Sequence, residues 1–193
     1  MTTRLPKLIL ASRSPRRREL LAAAGYSFEV RPASETAECG VCSGETPAEL
    51  VARLAYQKAA DVARKICAGL VLGCDTVAEC RGQILGKPVD QTHARAMLMT
   101  LSGREHRVLS GLCLWPAPDG PPAVRVAVTT LRMDPLTPQQ LAEYLASERW
   151  EDKAGAFGYQ DGIDWVHVIE GSESNVVGLP MELLAEMIRP YCP

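Results

Sequence analysis

Apolar positions along the chain change period several times, and each change marks an expected element. Residues 7–11 form a short apolar run suited to a buried strand. Ser14 then offers an N-cap, Pro15 fits the first helical position, and Leu20, Leu21 and Ala24 recur at helical spacing before Gly25 supplies a stop. Residues 27–31 alternate as a strand would, and 32–44 are polar and small, a loop. Thr46-Pro47-Ala48-Glu49 is a capping box opening a helix to about residue 67, with Leu50, Leu54, Ala55 and Ala59 on its apolar face. Residues 70–78 read as an apolar strand interrupted by one acid, Asp75. Gly82 turns a hairpin into 83–88, and Asp90 caps a helix to Leu101 that Ser102-Gly103 ends.

The second half continues the mixture. Residues 107–115 and 123–133 predict two longer strands joined by the turn 116–122. Thr137-Pro138-Gln139-Gln140 is another capping box, starting a helix to Ser147. Residues 152–160 are a small-residue loop carrying Lys153, 163–169 a strand, 171–175 a loop, and 179–188 a closing helix. Strands and helices interleaved around a long antiparallel pair predict an α/β or α+β domain with a cleft.

Composition narrows the class. A chain of 193 residues with 47% hydrophobic content can build one cored domain, or one with a small lobe. A net charge of −2 gives no global basic field for nucleic acid. No apolar run approaches the ~18 residues of a membrane span, and the N-terminus carries no signal-peptide pattern, so a soluble cytoplasmic protein is expected. The seven cysteines are scattered. Cys39 and Cys42 have the spacing of half a zinc site, but no second pair exists and the three histidines are not placed to complete it, which favours reduced thiols.

Candidate chemistry gathers on few residues. Arg16, Arg17 and Arg18 fall in the first helical turn, where a cation is disfavoured by roughly 0.3–1 kcal/mol at an exposed site. An anion at that helix end resolves the conflict, with backbone N–H groups, Ser12, Ser14 and the arginine forks aimed at it. The alternative is a solvated basic turn. Glu35 and Glu38 put carboxylates in the next loop, either to hold a divalent cation or as surface charge. Asp75 at the end of an apolar strand is either catalytic or a turn cap. With Lys58, Lys87 and Lys153, these residues suit metal-assisted hydrolysis of a phosphoanhydride: cations to hold polyphosphate, carboxylates to hold Mg²⁺ or Mn²⁺ or to deprotonate water. No Walker loop and no Ser-His-Asp set is present.

Taken together, Ser12-Arg13-Ser14-Pro15-Arg16-Arg17-x-Glu19-Leu20-Leu21, Gly73-Cys74-Asp75-Thr76-Val77, Gly86-Lys87-Pro88, Leu101-Ser102-Gly103-Arg104-Glu105-His106, Asp152-Lys153-Ala154-Gly155 and Val177-Gly178-Leu179-Pro180 resemble the Maf family of nucleoside triphosphate pyrophosphatases, in order, over residues 7–188. The resemblance implies a single domain over 1–193 with an elongated mixed sheet, flanking helices and two lobes around a central nucleotide cleft, similar to inosine triphosphate pyrophosphatases. It implies a homodimer, a divalent metal cofactor (Mg²⁺ or Mn²⁺), and cleavage of a nucleoside triphosphate into monophosphate and pyrophosphate. By position, Asp75 looks like the group that activates water. Lys58 and Lys87 join it in catalysis, and Ser12, Arg16, Arg17 and Lys153 look like phosphate contacts. Glu35 and Asp75 look like metal ligands.

Within the family, Arg16, Thr76 and Gln160 resemble the branch that prefers dTTP and UTP, including modified pyrimidine nucleotides, rather than the branch that prefers 7-methyl-GTP. Family members have also been tied to septum formation and arrest of cell division, so a nucleotide-binding regulator is the reading from another class. The chain departs from the family pattern at Cys74, where Ala is commoner, at Tyr159, and at Asp161-Gly162-Ile163-Asp164-Trp165, where the pyrimidine branch often has a small Gly-rich segment.

Overall fold

The computed structural model describes residues 6–37, 42 and 44–192. Its first elements are strand β1 (Leu8–Leu10), helix α1 (Pro15–Ala23), strand β2 (Phe28–Val30), helix α2 (Pro47–Ala63) and strand β3 (Gly69–Cys80). They are followed by β4 (Gln83–Leu85), α3 (Gln91–Leu101), β5 (Glu105–Ala117), β6 (Ala123–Met133), α4 (Pro138–Ala146), β7 (Val166–Glu170), α5 (Glu173–Val177) and α6 (Met181–Ile188). The seven strands form one mixed sheet in the order β2-β1-β3-β5-β6-β7, with β4 on β3. The β2-β1-β3 pairings are parallel, and β3–β4 and β6–β7 are antiparallel. Among the described residues no helix is long and apolar enough to cross a membrane.

The capping boxes form as their spacing requires: Thr46 accepts from the Glu49 N–H and Thr137 from the Gln140 N–H, and each N3 side chain reaches back to the cap. Asp90 caps α3 through the His93 N–H at 2.7 Å. Several boundaries differ from expectation. Helix α2 stops at Ala63 rather than near 67, because the Lys65 and Ile66 N–H groups turn to Val62 and Ala63 in a tightened last turn. Ser14 occupies the N-cap position of α1, but its side chain makes no cap bond; Ser12 Oγ accepts the Ser14 N–H at 3.2 Å instead. Residues 171–175, expected as a loop, run into the short helix α5. Its fully buried Asn175 is held by donating to the Val108 carbonyl and to Thr129 Oγ1. Such an anchor is polar, so hydrophobic periodicity does not reveal it.

The chain forms two compact units, Met1–Asp75 with Ser110–Ala127 and Gly178–Pro193, and Thr76–Leu109 with Val128–Val177. In the first unit both faces of the sheet are covered. Leu8, Leu10, Leu70, Leu72, Cys74, Leu112 and Leu114 pack with Leu21 of α1 and with Leu184, Met187 and Ile188 of α6. Ile9, Ala11, Val71 and Cys113, the alternate positions, pack with Ala55, Ala59, Val62 and Ala63 of α2. A strand buried on both faces reads as a continuous apolar run, which is how β1 and, up to Asp75, β3 look in sequence.

The second unit builds its own core from Ala78, Leu85, Met97, Leu98, Leu101, Val108, Leu131, Met133, Leu141, Leu145, Trp150, Phe157 and Trp165. His106 lies in this unit at 3% exposure, edge-on to Phe157 at 5.4 Å between ring centres, and its Nε2 has no hydrogen-bond partner. Burial pushes the imidazole down from 6.5 to about 4. Between those values the unfolded chain takes up a proton that the folded chain refuses, so stability present at neutral pH is lost as pH falls from 6.5 towards 4. Denaturant unfolding across this window is expected to show a pH-dependent loss smaller by roughly 2–3 kcal/mol in His106→Leu than in the parent. Equal slopes for the two proteins would contradict a neutral buried imidazole.

Candidate active site

The site in the first unit begins with two glycines. Val71, Gly73 and Asp75 are alternate residues of β3, so they share the face that α2 covers. A Cβ at Gly73 would collide with the Ala55 carbonyl oxygen and come within 2.9 Å of the Ala59 nitrogen. One at Gly111 on β5 would collide with the Val51 carbonyl and come within 2.8 Å of the Ala52 nitrogen. Helix α2 therefore lies directly on strand backbone, and Ala55 and Ala59 are small enough to permit it.

This seating delivers Lys58 to Asp75. Lys58 lies on the same face of α2, one turn from Ala55 and beside Ala59, and its Nζ donates to Asp75 Oδ1 at 2.5 Å. The side chains are only 9% and 14% exposed, so water screens the pair little. Among the described residues Oδ2 of Asp75 has no hydrogen-bond partner. The carboxylate is thus oriented through one oxygen and open at the other, which suits it to accept a proton from water or to meet a cation.

Arg17, at the start of α1, is buried. Its Nε donates to the Gly178 carbonyl at 2.8 Å, and one terminal nitrogen donates to the Cys74 carbonyl at 2.7 Å and to Ser12 Oγ at 3.1 Å. Cys74 Sγ reaches the same Gly178 carbonyl at 3.3 Å. Arg17 thereby ties the end of β1, the residue before Asp75 and Gly178 into one polar knot, and Ser12 belongs to it. Arg16, its neighbour, is half-buried in the first turn of α1. Glu35, in a 3₁₀ turn at Glu35–Ala37, is exposed and accepts from Arg13 at 2.7 Å; that hydrogen bond holds its carboxyl below the usual range. Glu38 and Cys39 lie outside the described residues, and Cys42 is exposed.

Among the described residues no three His, Cys, Asp or Glu side chains cluster as a metal cage. The donor set fits a different arrangement. A Mg²⁺ in a phosphate site is commonly held by one or two carboxylates together with substrate phosphates and water, and Asp75 offers an unpartnered carboxylate oxygen for that.

The second unit carries Thr76, Lys87, Lys153 and Gln160. The Gly155 N–H donates to the Gly86 carbonyl at 3.0 Å, which joins the Gly86-Lys87-Pro88 loop to the 152–156 segment. Lys87 is exposed and pairs with the equally exposed Asp152 at 3.1 Å. Lys153 is buried to 9% exposure and forms an ion pair with Asp161, which also accepts from the Tyr144 hydroxyl at 3.3 Å. Thr76 is half-buried and Gln160 is exposed. Sequence reasoning did not pair Lys153 with Asp161 or Lys87 with Asp152. The signal for the first was the acid at 161, inside the segment that departs from the family pattern.

Known proteins bear on this chain directly. The family model described as "Maf-like protein" matches residues 7–191. A dTTP/UTP pyrophosphatase of Rhodopirellula baltica is 62% identical over 185 residues, covering 95% of this chain and 82% of that protein. A dTTP/UTP pyrophosphatase of Moorella thermoacetica is 44% identical over 188 residues, covering 97% and 96%. Among solved structures, a nucleoside-triphosphatase (dITP/XTP pyrophosphatase) of Mycobacterium abscessus aligns over 95% of this chain and 96% of that one, with 14% identity and a TM-score of 0.44, a likeness too slight to build on.

The glycine seat is open to a direct test. Gly73→Val must push α2 off β3, and overpacking of this kind costs about 1–3 kcal/mol or more where backbone is the obstacle. The variant is expected to unfold at clearly lower denaturant than the parent, whereas Gly86→Val, at a position outside the left-handed region where a Cβ meets nothing within 4 Å, should lose less. Equal stability of Gly73→Val and the parent would contradict direct backbone contact.

Proposed function

The chain belongs to the Maf-like family, and from that membership we propose that it is a nucleoside triphosphate pyrophosphatase hydrolysing dTTP and UTP to the monophosphate and pyrophosphate. Relatives named for that activity support the substrate, and Arg16, Thr76 and Gln160 agree with the pyrimidine branch. The observation that carries the chemistry is Asp75, half-buried in the middle of β3, which continues to Cys80, with one oxygen on Lys58 and the other unpartnered among the described residues.

In this reading water approaches the α-phosphorus while Asp75 accepts its proton, and the bond from that phosphorus to the α–β bridging oxygen breaks. Pyrophosphate leaves with the bridging oxygen, and the hydroxyl from water remains on the monophosphate. Lys58 holds the carboxylate in one orientation, so the proton acceptor is in place before the water attacks. Ser12, Arg16 and the backbone N–H groups opening α1 are assigned to the phosphates, where a helix N-terminus favours anions. Arg17 supports them from beneath through Ser12 and the Cys74 carbonyl. Lys87 and Lys153 are assigned to phosphate charge, Lys87 from an exposed loop and Lys153 from a buried one. Asp75, with Glu35 as the second candidate ligand, would hold Mg²⁺ or Mn²⁺, which when bound neutralises phosphate charge.

Asp75→Asn is expected to lower kcat by roughly 10²–10⁴, the range for loss of a general base. Turnover at the parental rate would remove Asp75 from the chemistry. Pyrophosphate release from dTTP, UTP, CTP, GTP and 7-methyl-GTP with Mg²⁺ or Mn²⁺ is expected to favour the first two. Preference for 7-methyl-GTP would overturn the pyrimidine assignment. Lys87→Ala is expected to lower kcat/KM for the triphosphate, and an unchanged value would remove Lys87 from phosphate contact.

A further inference from the structure

Lys153 already has an anion. Its ammonium is paired with the Asp161 carboxylate, and both side chains are 11% exposed. The pair lies over Gly158, where a Cβ would collide with Asp161 Oδ2 and come within 2.5 Å of Lys153 Nζ. Asp161 is fixed from two more directions. Its Oδ2 accepts from the Tyr144 hydroxyl, whose own oxygen accepts the Gly158 N–H at 3.0 Å, and its carbonyl accepts from Arg149 at 2.9 Å. Burial, with the Asp161 charge adding to it, raises Tyr144 above the usual phenol range, so the hydroxyl remains a neutral donor. The Asp161 carboxylate is therefore held between the Tyr144 hydroxyl and Lys153, with Arg149 fixing its backbone, and all of these groups lie in the second unit.

A buried ammonium neutralised by a fixed carboxylate attracts a second anion less than an unpaired one does. We propose that Asp161 is a positioning residue that parks Lys153 and competes with the polyphosphate for it, so that the nucleotide gains Lys153 only by displacing or sharing this internal counter-ion. The proposal rests on the reading that Lys153 contacts phosphate. It gives a role to the acid at the first position of the segment where this chain departs from its family pattern. A competitor built into the protein weakens substrate and product together, which favours release of pyrophosphate after cleavage.

The test is the inhibition constant of inorganic pyrophosphate against dTTP hydrolysis at fixed Mg²⁺, read with KM and kcat. In Asp161→Asn both the inhibition constant and KM should fall about three- to tenfold, the size of one lost charge-assisted competitor. Asp161→Glu, which keeps the charge, should stay nearer the parent. Asp161→Ser reads the same quantity if the Asn variant does not fold. Loss of mere structural support would move both constants upwards, so the sign separates the two roles. Lys153→Met should weaken pyrophosphate, and adding Asp161→Asn to it should produce no tightening.

If Lys153→Met weakens pyrophosphate but neutralising Asp161 leaves it unchanged or weaker, the parking role is overturned and the phosphate role of Lys153 stands. If Lys153→Met leaves pyrophosphate binding unchanged, the reading of Lys153 falls, and the parking role falls with it.

Discussion

The close approach of α2 to β3 at Gly73 is the constraint on which the rest of the site depends. A helix normally stands off a sheet by the thickness of its side chains. Here glycine on the strand, with Ala55 and Ala59 on the helix, removes that layer. The contact brings Lys58 within 2.5 Å of Asp75 in surroundings where an unpaired charge would be costly. Desolvating both groups opposes folding, and removing either partner of such a pair costs more than the pair returns. The apolar contacts of Ile9, Val71 and Val62 on the same face offset that cost. Packing thus sets the geometry of the carboxylate, and the ion pair draws its orientation from the packing.

A second regularity is that several cations in or beside the candidate-site segments carry a carboxylate partner of their own. Lys58 has Asp75, Lys87 has Asp152, Lys153 has Asp161, and Arg13 has Glu35. The exposed pairs at Lys87 and Arg13 contribute little to stability and exchange partners readily in water. The buried pairs at Lys58 and Lys153 do not exchange without consequence. Arg17 also donates to two carbonyls and a hydroxyl, and these bonds stiffen the backbone around Ser12 and Asp75.

Much of the fold was legible in sequence, for physical reasons that can be named. Capping boxes at Thr46 and Thr137 use short-range bonds and formed as written. The doubly covered strand β1 announced itself as an unbroken apolar run, and β3, over residues 70–78, as an apolar run interrupted by one acid, which marked Asp75. The misses are long-range. Helix α5 is anchored by Asn175 reaching Val108 and Thr129, residues 67 and 46 positions away. The arginines in the first turn of α1 pointed to an anion, and the bonds that Arg17 also makes to the Cys74 and Gly178 carbonyls join positions that no local pattern connects. The partnership of Lys153 with Asp161 needed the curl of the chain over Gly158.

The proposed chemistry requires Lys58 and Asp75 to act as one unit in activating water. A double-mutant cycle on single-turnover pyrophosphate release from dTTP tests it most directly, using Asp75→Asn, Lys58→Met and the double variant. Residues acting as a unit are strongly non-additive. The account predicts a double variant within about threefold of Asp75→Asn alone. A double variant whose rate loss is the product of the two single losses would show independent roles and contradict it.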